Sequence, residues 1–484
     1  MGNILAELQP KVVWSIFEEI CQVPRPSKKE EKIIEYLLQW AEKNNIEAKR
    51  DKIGNVLMSK PATKGKENSP SVLLQSHMDM VCEKNNNVDF DFDKDPIVPR
   101  IDGEWVKATG TTLGADDGIG MAAQMAVLLS TDIAHGPIEA LFTVDEETGL
   151  TGAFEIQENF FKSKILINLD SEDEGELFIG CAGGIDTLAT FDFEKEAVSS
   201  NQTAFKIEVT GLNGGHSGDE IDKGLGNANK IMNRFLWNGE AFNLKLSLLD
   251  GGNLRNAIAR ESTAVFTIDN DKTTEFKNFF ETLSTDIKKE LAVTEPNLEI
   301  NLNTAEMPQF VIDENTQYNL LNALYACPHG VISMSQEMKG MVETSTNLAS
   351  VKMDLDKMQI TVTTSQRSDS TSAKKDIKDM VASVFILAGA NVEHSDGYPG
   401  WKPNTQSAIL DAAAKSYEKL FAKKPIVRSI HAGLECGLFL EKYPDLDMIS
   451  FGPTLRAVHS PDERIEIATV EKFWKHLVDL LETI

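Results

Sequence analysis

Asp145-Glu146-Glu147 closes an apolar run, Ile138 to Val144, and leads directly into Thr148-Gly149. Carboxylates crowded at the end of a strand are costly unless a metal ion or a proton transfer holds them there. Successive strand side chains point to opposite faces, so Glu146 and Glu147 are expected to divide the work into a general base and a metal ligand. An isolated Glu-Glu is more simply a solvated acidic turn, but three other segments change the balance.

In Ser71-Val72-Leu73-Leu74-Gln75-Ser76-His77-Met78-Asp79 a β-type run delivers a His and an Asp two positions apart on one face. A metal-bound imidazole usually donates its other nitrogen to a carboxylate, and Asp79 suits that task for His77. Gly110-Thr111-Thr112-Leu113-Gly114-Ala115-Asp116-Asp117-Gly118-Ile119-Gly120 is a Gly-rich turn into an apolar helix. Its paired carboxylates could bridge two cations, or Asp could serve there as a plain helix cap. Lys164 to Asp170 is an apolar strand that again ends on a carboxylate. Together the segments place His77, Asp116, Glu147 and Asp170 at loop ends, where an open α/β sheet puts its ligand. His459, far along the chain, completes a set of two His and three carboxylates. Borderline nitrogen and oxygen donors suit zinc, with manganese or cobalt as substitutes.

The ordered series His77-x-Asp79, Gly114-Ala115-Asp116-Asp117-Gly118, Asp145-Glu146-Glu147-Thr148-Gly149, Asp170 and His459 resembles the co-catalytic two-zinc peptidases of the M20 family. Gly211-Leu212-Asn213-Gly214-Gly215-His216-Ser217-Gly218 and His431-Ala432-Gly433-Leu434-Glu435-Cys436-Gly437 make the chain most similar to that family's aminoacyl-histidine (Xaa-His) dipeptidase branch. Asp117 departs from the Asn often found after the bridging Asp. The resemblance implies two zinc ions bridged by Asp116, one completed by His77 and Asp170 and the other by Glu147 and His459. It implies Glu146 as general base, Asp79 as the carboxylate orienting His77, His216 as a group that polarises the scissile carbonyl, and Glu435 near the metals, through the substrate amine or behind the ligands.

Composition agrees with a hydrolase of this kind. The 484 residues exceed one ordinary core, so two or more domains are expected. A formal net charge of -27 opposes binding to nucleic acid or anionic membranes. No apolar stretch is long enough to span a bilayer, and the N-terminal segment lacks a signal or myristoylation pattern, which predicts a cytoplasmic protein. Five scattered cysteines without CxxC spacing read as reduced thiols.

The positioning elements alternate. Helices over 10–20 and 28–44, strands at 47–50, 56–59 and 71–76, a helix over 118–130 and strands at 138–144 and 165–169 predict an α/β sheet covered by helices. After Gly184 the pattern changes to strand, helix, two strands, helix, strand between 204 and 302, the ferredoxin-like order. A looser copy runs from 316 to 395 without a first strand. The expected fold is therefore a di-zinc aminopeptidase-like α/β catalytic domain, discontinuous over 1–184 and 398–484. Residues 185–397 form an inserted α+β lid of two ferredoxin-like halves.

Within the lid, Arg367 follows an apolar strand and suits a bidentate clamp on a peptide's C-terminal carboxylate, against the alternative of a surface ion pair. Asn253, with Arg255 and Asn256, offers hydrogen bonds to a peptide backbone. The substrate expected is an unblocked dipeptide, Xaa-His and β-Ala-His types included. A related deacylase, a tripeptidase or a non-catalytic scaffold are the alternatives. In several relatives the His of the lid acts across a dimer interface, so a homodimer is one assembly the resemblance allows, and a doubled lid would let His216 act within one chain.

Overall fold

The computed structural model describes residues 4–484. The chain divides into two compact units, one of residues 1–181, 401–429 and 434–484, the other of residues 182–400 and 430–433. Gly183 and Gly184 pair with Ser368 and Arg367, so the second unit begins a few residues before Ile185. Among the described residues no helix is long and apolar enough to cross a membrane.

The first unit is built on an eight-stranded sheet in the order Glu47–Arg50, Val56–Lys60, Ile138–Thr143, Val72–His77, Ile165–Asn168, Asp447–Ser450, Glu176–Cys181, Ile426–Ile430. Its centre, from Ile138–Thr143 to Asp447–Ser450, is parallel. The strand Val72–His77 is buried at every position, as expected of a parallel strand covered on both faces. Helix Ala115–Leu129 packs on that strand, and Lys11–Ile20 packs on the helix through Val13, Trp14, Ile16, Phe17 and Ile20, a stripe at helical spacing. Ser407 caps helix Ala408–Phe421 by accepting from the Leu410 N–H. A four-stranded sheet adds Leu455–Arg456 and Arg464–Glu466 to Trp105–Lys107 and Arg100–Asp102, which fixes the loop carrying His459.

The second unit contains one antiparallel sheet of nine strands. Its first half runs Gln202–Thr210, helix Ala228–Asn238, Lys245–Gly251, Ser262–Asp269, helix Thr273–Glu290, Glu299–Thr304, with Gln202–Thr210 and Ser262–Asp269 the inner two of that half's four strands. The second half differs from expectation. Its missing first strand is Gly183–Asp192, which lies before the first half in sequence and sits between Gln359–Ser368 and Asn391–His394. The first half is thus inserted into the second, after that half's opening strand. Lys195–Glu196 pairs with Val311–Ile312 where the chain leaves and re-enters, and Gly251 pairs with Val351 to join the halves into one sheet.

Candidate active site

Three strand ends, one hairpin and one helix start supply the charged cluster of the first unit. Val72–His77 ends on His77, Ile138–Thr143 runs into Glu146 and Glu147, Ile165–Asn168 precedes Asp170, and the hairpin after Leu455–Arg456 carries His459. Asp116 lies in the first turn of helix Ala115–Leu129, where it and Asp117 have non-helical dihedrals. Gly114, at φ 69°, starts that turn in the left-handed region that glycine favours.

His77 Nε2 lies 3.1 Å from Asp116 Oδ1 and 3.7 Å from Asp170 Oδ1. His459 Nε2 lies 3.2 Å from Asp116 Oδ2 and 3.0 Å from Glu147 Oε2. The donor atoms of His77, Asp116 and Asp170 fall within 4.8 Å of one another, as do those of Asp116, Glu147 and His459, with Asp116 common to both. His77, Glu146 and Glu147 make a third such group. These residues fit a pair of divalent cations. The donors are imidazole and carboxylate, the charges are mostly negative, no Lys or Arg pairs with them, and Glu147 Oε1 is buried without a hydrogen-bond partner among the described residues.

The electrostatics express the same crowding. Burial, followed by neighbouring carboxylates, pushes the Glu146 and Asp170 carboxyls well above the ordinary range. Burial opposes a charge on His77, yet Asp170, Asp116 and Asp79 outweigh it and hold its pKa well above normal. Hydrogen bonds to Asp116 and Glu147 raise His459 to about 11. Asp116 is held far below the usual range by the two imidazoles, against its burial.

Glu146 and Glu147 do not alternate along a strand. The strand stops at Thr143 and Glu146–Gly149 is a helical turn, so both carboxylates belong to one metal-competent group with His77. Asp145 occupies the left-handed region and gives its carboxylate to the Thr148 and Thr151 hydroxyls. Asp79 sits 3.3 Å from His77 Nδ1 and accepts the backbone N–H groups of Glu146 and Glu147 at 3.0 and 3.3 Å and the Ser27 hydroxyl at 2.8 Å. One carboxylate therefore fixes both an imidazole and the acidic turn.

Two positioning groups were not singled out in the sequence. Glu463, four residues after His459, is buried and accepts the backbone N–H groups of Leu113, Gly114, Ala115 and Asp116 at 2.7, 2.9, 2.8 and 3.3 Å. Arg25, also buried, donates to the carbonyls of Met78 and Asp79 at 3.1 and 2.6 Å and to that of Gly114. Neither belongs to a local motif. The buried charge of each is readable only once its partners are known. Glu435 is fully buried and accepts from Gln75 Nε2 at 2.6 Å and the Thr143 hydroxyl at 2.7 Å.

In the second unit, His216 Nδ1 accepts the backbone N–H groups of Gly218 and Asp219 at 3.3 and 3.1 Å. That leaves Nε2 as the protonated donor of a neutral ring, and burial together with the Arg367 charge lowers its pKa. A Cβ on Gly218 would collide with the His431 carbonyl oxygen, which accounts for the glycine. The backbone N–H of His431 donates to the Asp219 carboxylate at 2.9 Å, and its Nε2 lies 2.8 Å from Ser345 Oγ. Arg367 is buried, with Nη1 donating to the Tyr398 hydroxyl at 2.9 Å and Nε unpartnered among the described residues. Asn253 is exposed, lines a groove with His216, Asn256 and Arg260, and accepts from Lys352 at 3.0 Å. Arg255 pairs with Asp186 at 3.1 Å.

Residues 73–483 match the family model described as Peptidase family M20/M25/M40. A cytosol non-specific dipeptidase of Escherichia coli is 46% identical over 482 residues, 99% of each chain. The crystal structure of an aminoacylhistidine dipeptidase from Vibrio alginolyticus superposes with a TM-score of 0.90 at 45% identity, covering 99% of this chain and 98% of that one. A tripeptidase from Staphylococcus aureus shares the fold at 16% identity and a TM-score of 0.57, covering 98% of both chains.

Proposed function

Because the chain belongs to peptidase family M20/M25/M40, we propose that it is a metal-dependent dipeptidase, that its substrates are unblocked dipeptides with Xaa-His among them, and that Glu146 is its general base. The dipeptidase activity is carried by full-length similarity to two dipeptidases. The observation that carries the mechanism is the two three-residue donor groups sharing Asp116, with Glu146 beside them and a member of neither. The name of the Escherichia coli relative favours a range of dipeptides wider than Xaa-His alone.

His77, Asp116 and Asp170 would hold one ion and Asp116, Glu147 and His459 the other, with zinc favoured by the imidazole and carboxylate donors. Bound there, such ions lower the pKa of a water molecule and polarise a carbonyl. Glu146 accepts the proton of the attacking water and returns it to the leaving amine, a task suited to a carboxyl whose pKa burial raises above the ordinary carboxylate range. Asp79 keeps His77 oriented and the Glu146 turn in place.

The second unit supplies the candidate substrate contacts. The Nε2–H of neutral His216 is suited to an oxyanion, Arg367 to the free carboxylate and Asn253 to the backbone of the peptide. Residence in the cytoplasm completes the reading, with a homodimer as one assembly the family resemblance allows. Hydrolysis of β-Ala-His, Gly-His, Leu-Gly, an N-acetyl amino acid and a tripeptide, by zinc-loaded and chelated protein in parallel, tests it. Zinc-dependent cleavage of the unblocked dipeptides is expected. Turnover confined to the blocked or longer substrates would reassign the protein to a deacylase or tripeptidase, and none at all would leave a scaffold.

A further inference from the structure

A row of polar side chains crosses the first unit's sheet just beneath the strand ends that carry the charged cluster. Gln75, Asn168 and Ser450 lie side by side on adjacent parallel strands, Gln75 in register with Asn168 and Asn168 with Ser450. All three are fully buried, as are Thr143 and Glu435. Buried amides and hydroxyls in the centre of a sheet contribute little that well-packed apolar side chains would not. Folding alone therefore does not account for them.

Their hydrogen bonds all point one way. The Ser450 hydroxyl donates to Asn168 Oδ1. Asn168 Nδ2 donates to Gln75 Oε1 at 2.6 Å, and Gln75 Nε2 donates to Glu435 Oε2 at 2.6 Å, where the Thr143 hydroxyl also donates at 2.7 Å. Bonds aligned in this manner polarise one another, and the carboxylate is the terminal acceptor that fixes which way each amide faces. The chain reaches the cluster at two points. Gln75 precedes His77 by two residues on the same strand, hence on the same face. Asn168 Oδ1 accepts the backbone N–H of Asp170 at 3.3 Å, and Ser171, the next residue, lies 2.6 Å from Ser450. Glu435 itself belongs to none of the metal-competent groups.

We propose that Glu435 is a positioning residue, the terminal acceptor of a one-way buried hydrogen-bond chain through Gln75, Asn168 and Ser450 that fixes the strand ends presenting His77 and Asp170. The inference rests on the reading of those two residues as ligands of one metal ion. Of the two roles the resemblance leaves open for Glu435, it selects the support behind the ligands over the contact with the substrate amine. An anchored ligand loses less freedom on binding, and loss of such an anchor typically weakens metal affinity by about 10- to 100-fold.

The test is zinc affinity, measured by competition with a chromogenic chelator, for the full chain and for Gln75→Met, Asn168→Leu, their double variant, Glu435→Gln and Glu435→Leu. Thermal melts of the metal-free proteins report folding. Each cut in the chain should weaken zinc binding by about tenfold or more. The double variant should bind within about threefold of the weaker single, since one cut already interrupts the chain. Glu435→Gln keeps an oxygen for Gln75 and Thr143 and should stay within about threefold of the unaltered protein, whereas Glu435→Leu joins the cut variants. Thr143→Val removes only the side branch and serves where a larger change prevents folding; it should give a smaller loss. Independent, additive losses would overturn the chain, as would unaltered affinity in the folded variants, or Glu435→Gln binding as weakly as Glu435→Leu, which would make the charge the active property. Failure of the unaltered protein to bind zinc would instead overturn the ligand reading on which the inference stands.

Discussion

The sites of the two units treat histidine in opposite ways. In the first, His77 and His459 face carboxylates and are driven toward the charged state, His459 to about 11. In the second, burial and the Arg367 charge drive His216 down and His431 to about 3. One region is a sink for positive charge, in which a proton on each imidazole stands where a cation would bind. The other keeps its imidazoles neutral, so that a ring N–H is available as a donor without carrying charge. Burial disfavours the charge on His77, His216 and His431 alike, and the sign of the neighbouring charge decides the outcome.

The largest expected effect separates catalysis from charge storage within the first region. Glu146→Gln should lower kcat by about 10²- to 10⁴-fold while zinc content, measured by mass spectrometry, stays at the level of the unaltered protein. Wild-type turnover in this variant would remove Glu146 from its role. Loss of zinc along with activity would place it among the ligands.

The second region is probed through Arg367. Arg367→Ala should raise KM for free dipeptides by about tenfold or more, the scale of a lost charge-assisted contact, and raise it much less for the C-terminal amides. Equal increases for acid and amide would assign Arg367 to the Tyr398 contact and to the depression of the His216 pKa alone.

Metal loading should read the first region's stored protons. A cation binding near pH 7 must displace the protons on His77 and His459, so loading is expected to release about two protons or more per chain. The apparent zinc affinity should accordingly rise with pH. Calorimetric titrations in two buffers of different ionisation enthalpy measure the release. His459→Ala should lower it by about one proton. Proton uptake, or a release indifferent to His459, would break the contrast between the units.

How far these regions were legible in the sequence follows the same division. His77, Asp116, Glu147 and Asp170 stand out because each ends an apolar run or sits in a Gly-rich turn, His459 has no such local signal and only completes the donor set, and the chain does bring all five together. Their supports were not legible. Glu463 reaches residues 347 to 350 positions away, and Glu435 reaches Gln75 across 360, distances over which no periodicity operates. Gln75 and Asn168 look like minor interruptions of apolar strands until the parallel register puts them side by side. The acidic turn was misjudged because Asp145, in the left-handed region, ends the strand before the glutamates. In the second unit the repeated strand and helix order was visible, but nesting was not. The opening strand of the second half, Gly183–Asp192, is separated from its partner Gln359–Ser368 by the whole of the first.

The smallest effect concerns stability and is confined to the second region. His431 is buried against Ser345, and its folded pKa of about 3 lies below the 6.5 of an unstructured His. Because the unfolded chain binds the proton more readily, the contribution of the neutral ring is fully present above pH 6.5 and is lost progressively as pH falls toward 3. Between pH 6.5 and 5 that loss amounts to up to about 2 kcal/mol. His431→Gln keeps a polar atom near Ser345 and cannot titrate, so whatever its stability at pH 7, its denaturation midpoint should fall less between pH 7 and pH 5 than that of the unaltered protein. A variant with an undiminished acid slope would mean that other depressed imidazoles, such as His476 at about 4 beside the Ala413 carbonyl in the first unit, carry the acid sensitivity. The opposition between the two units would then hold for their sites but not for their folding.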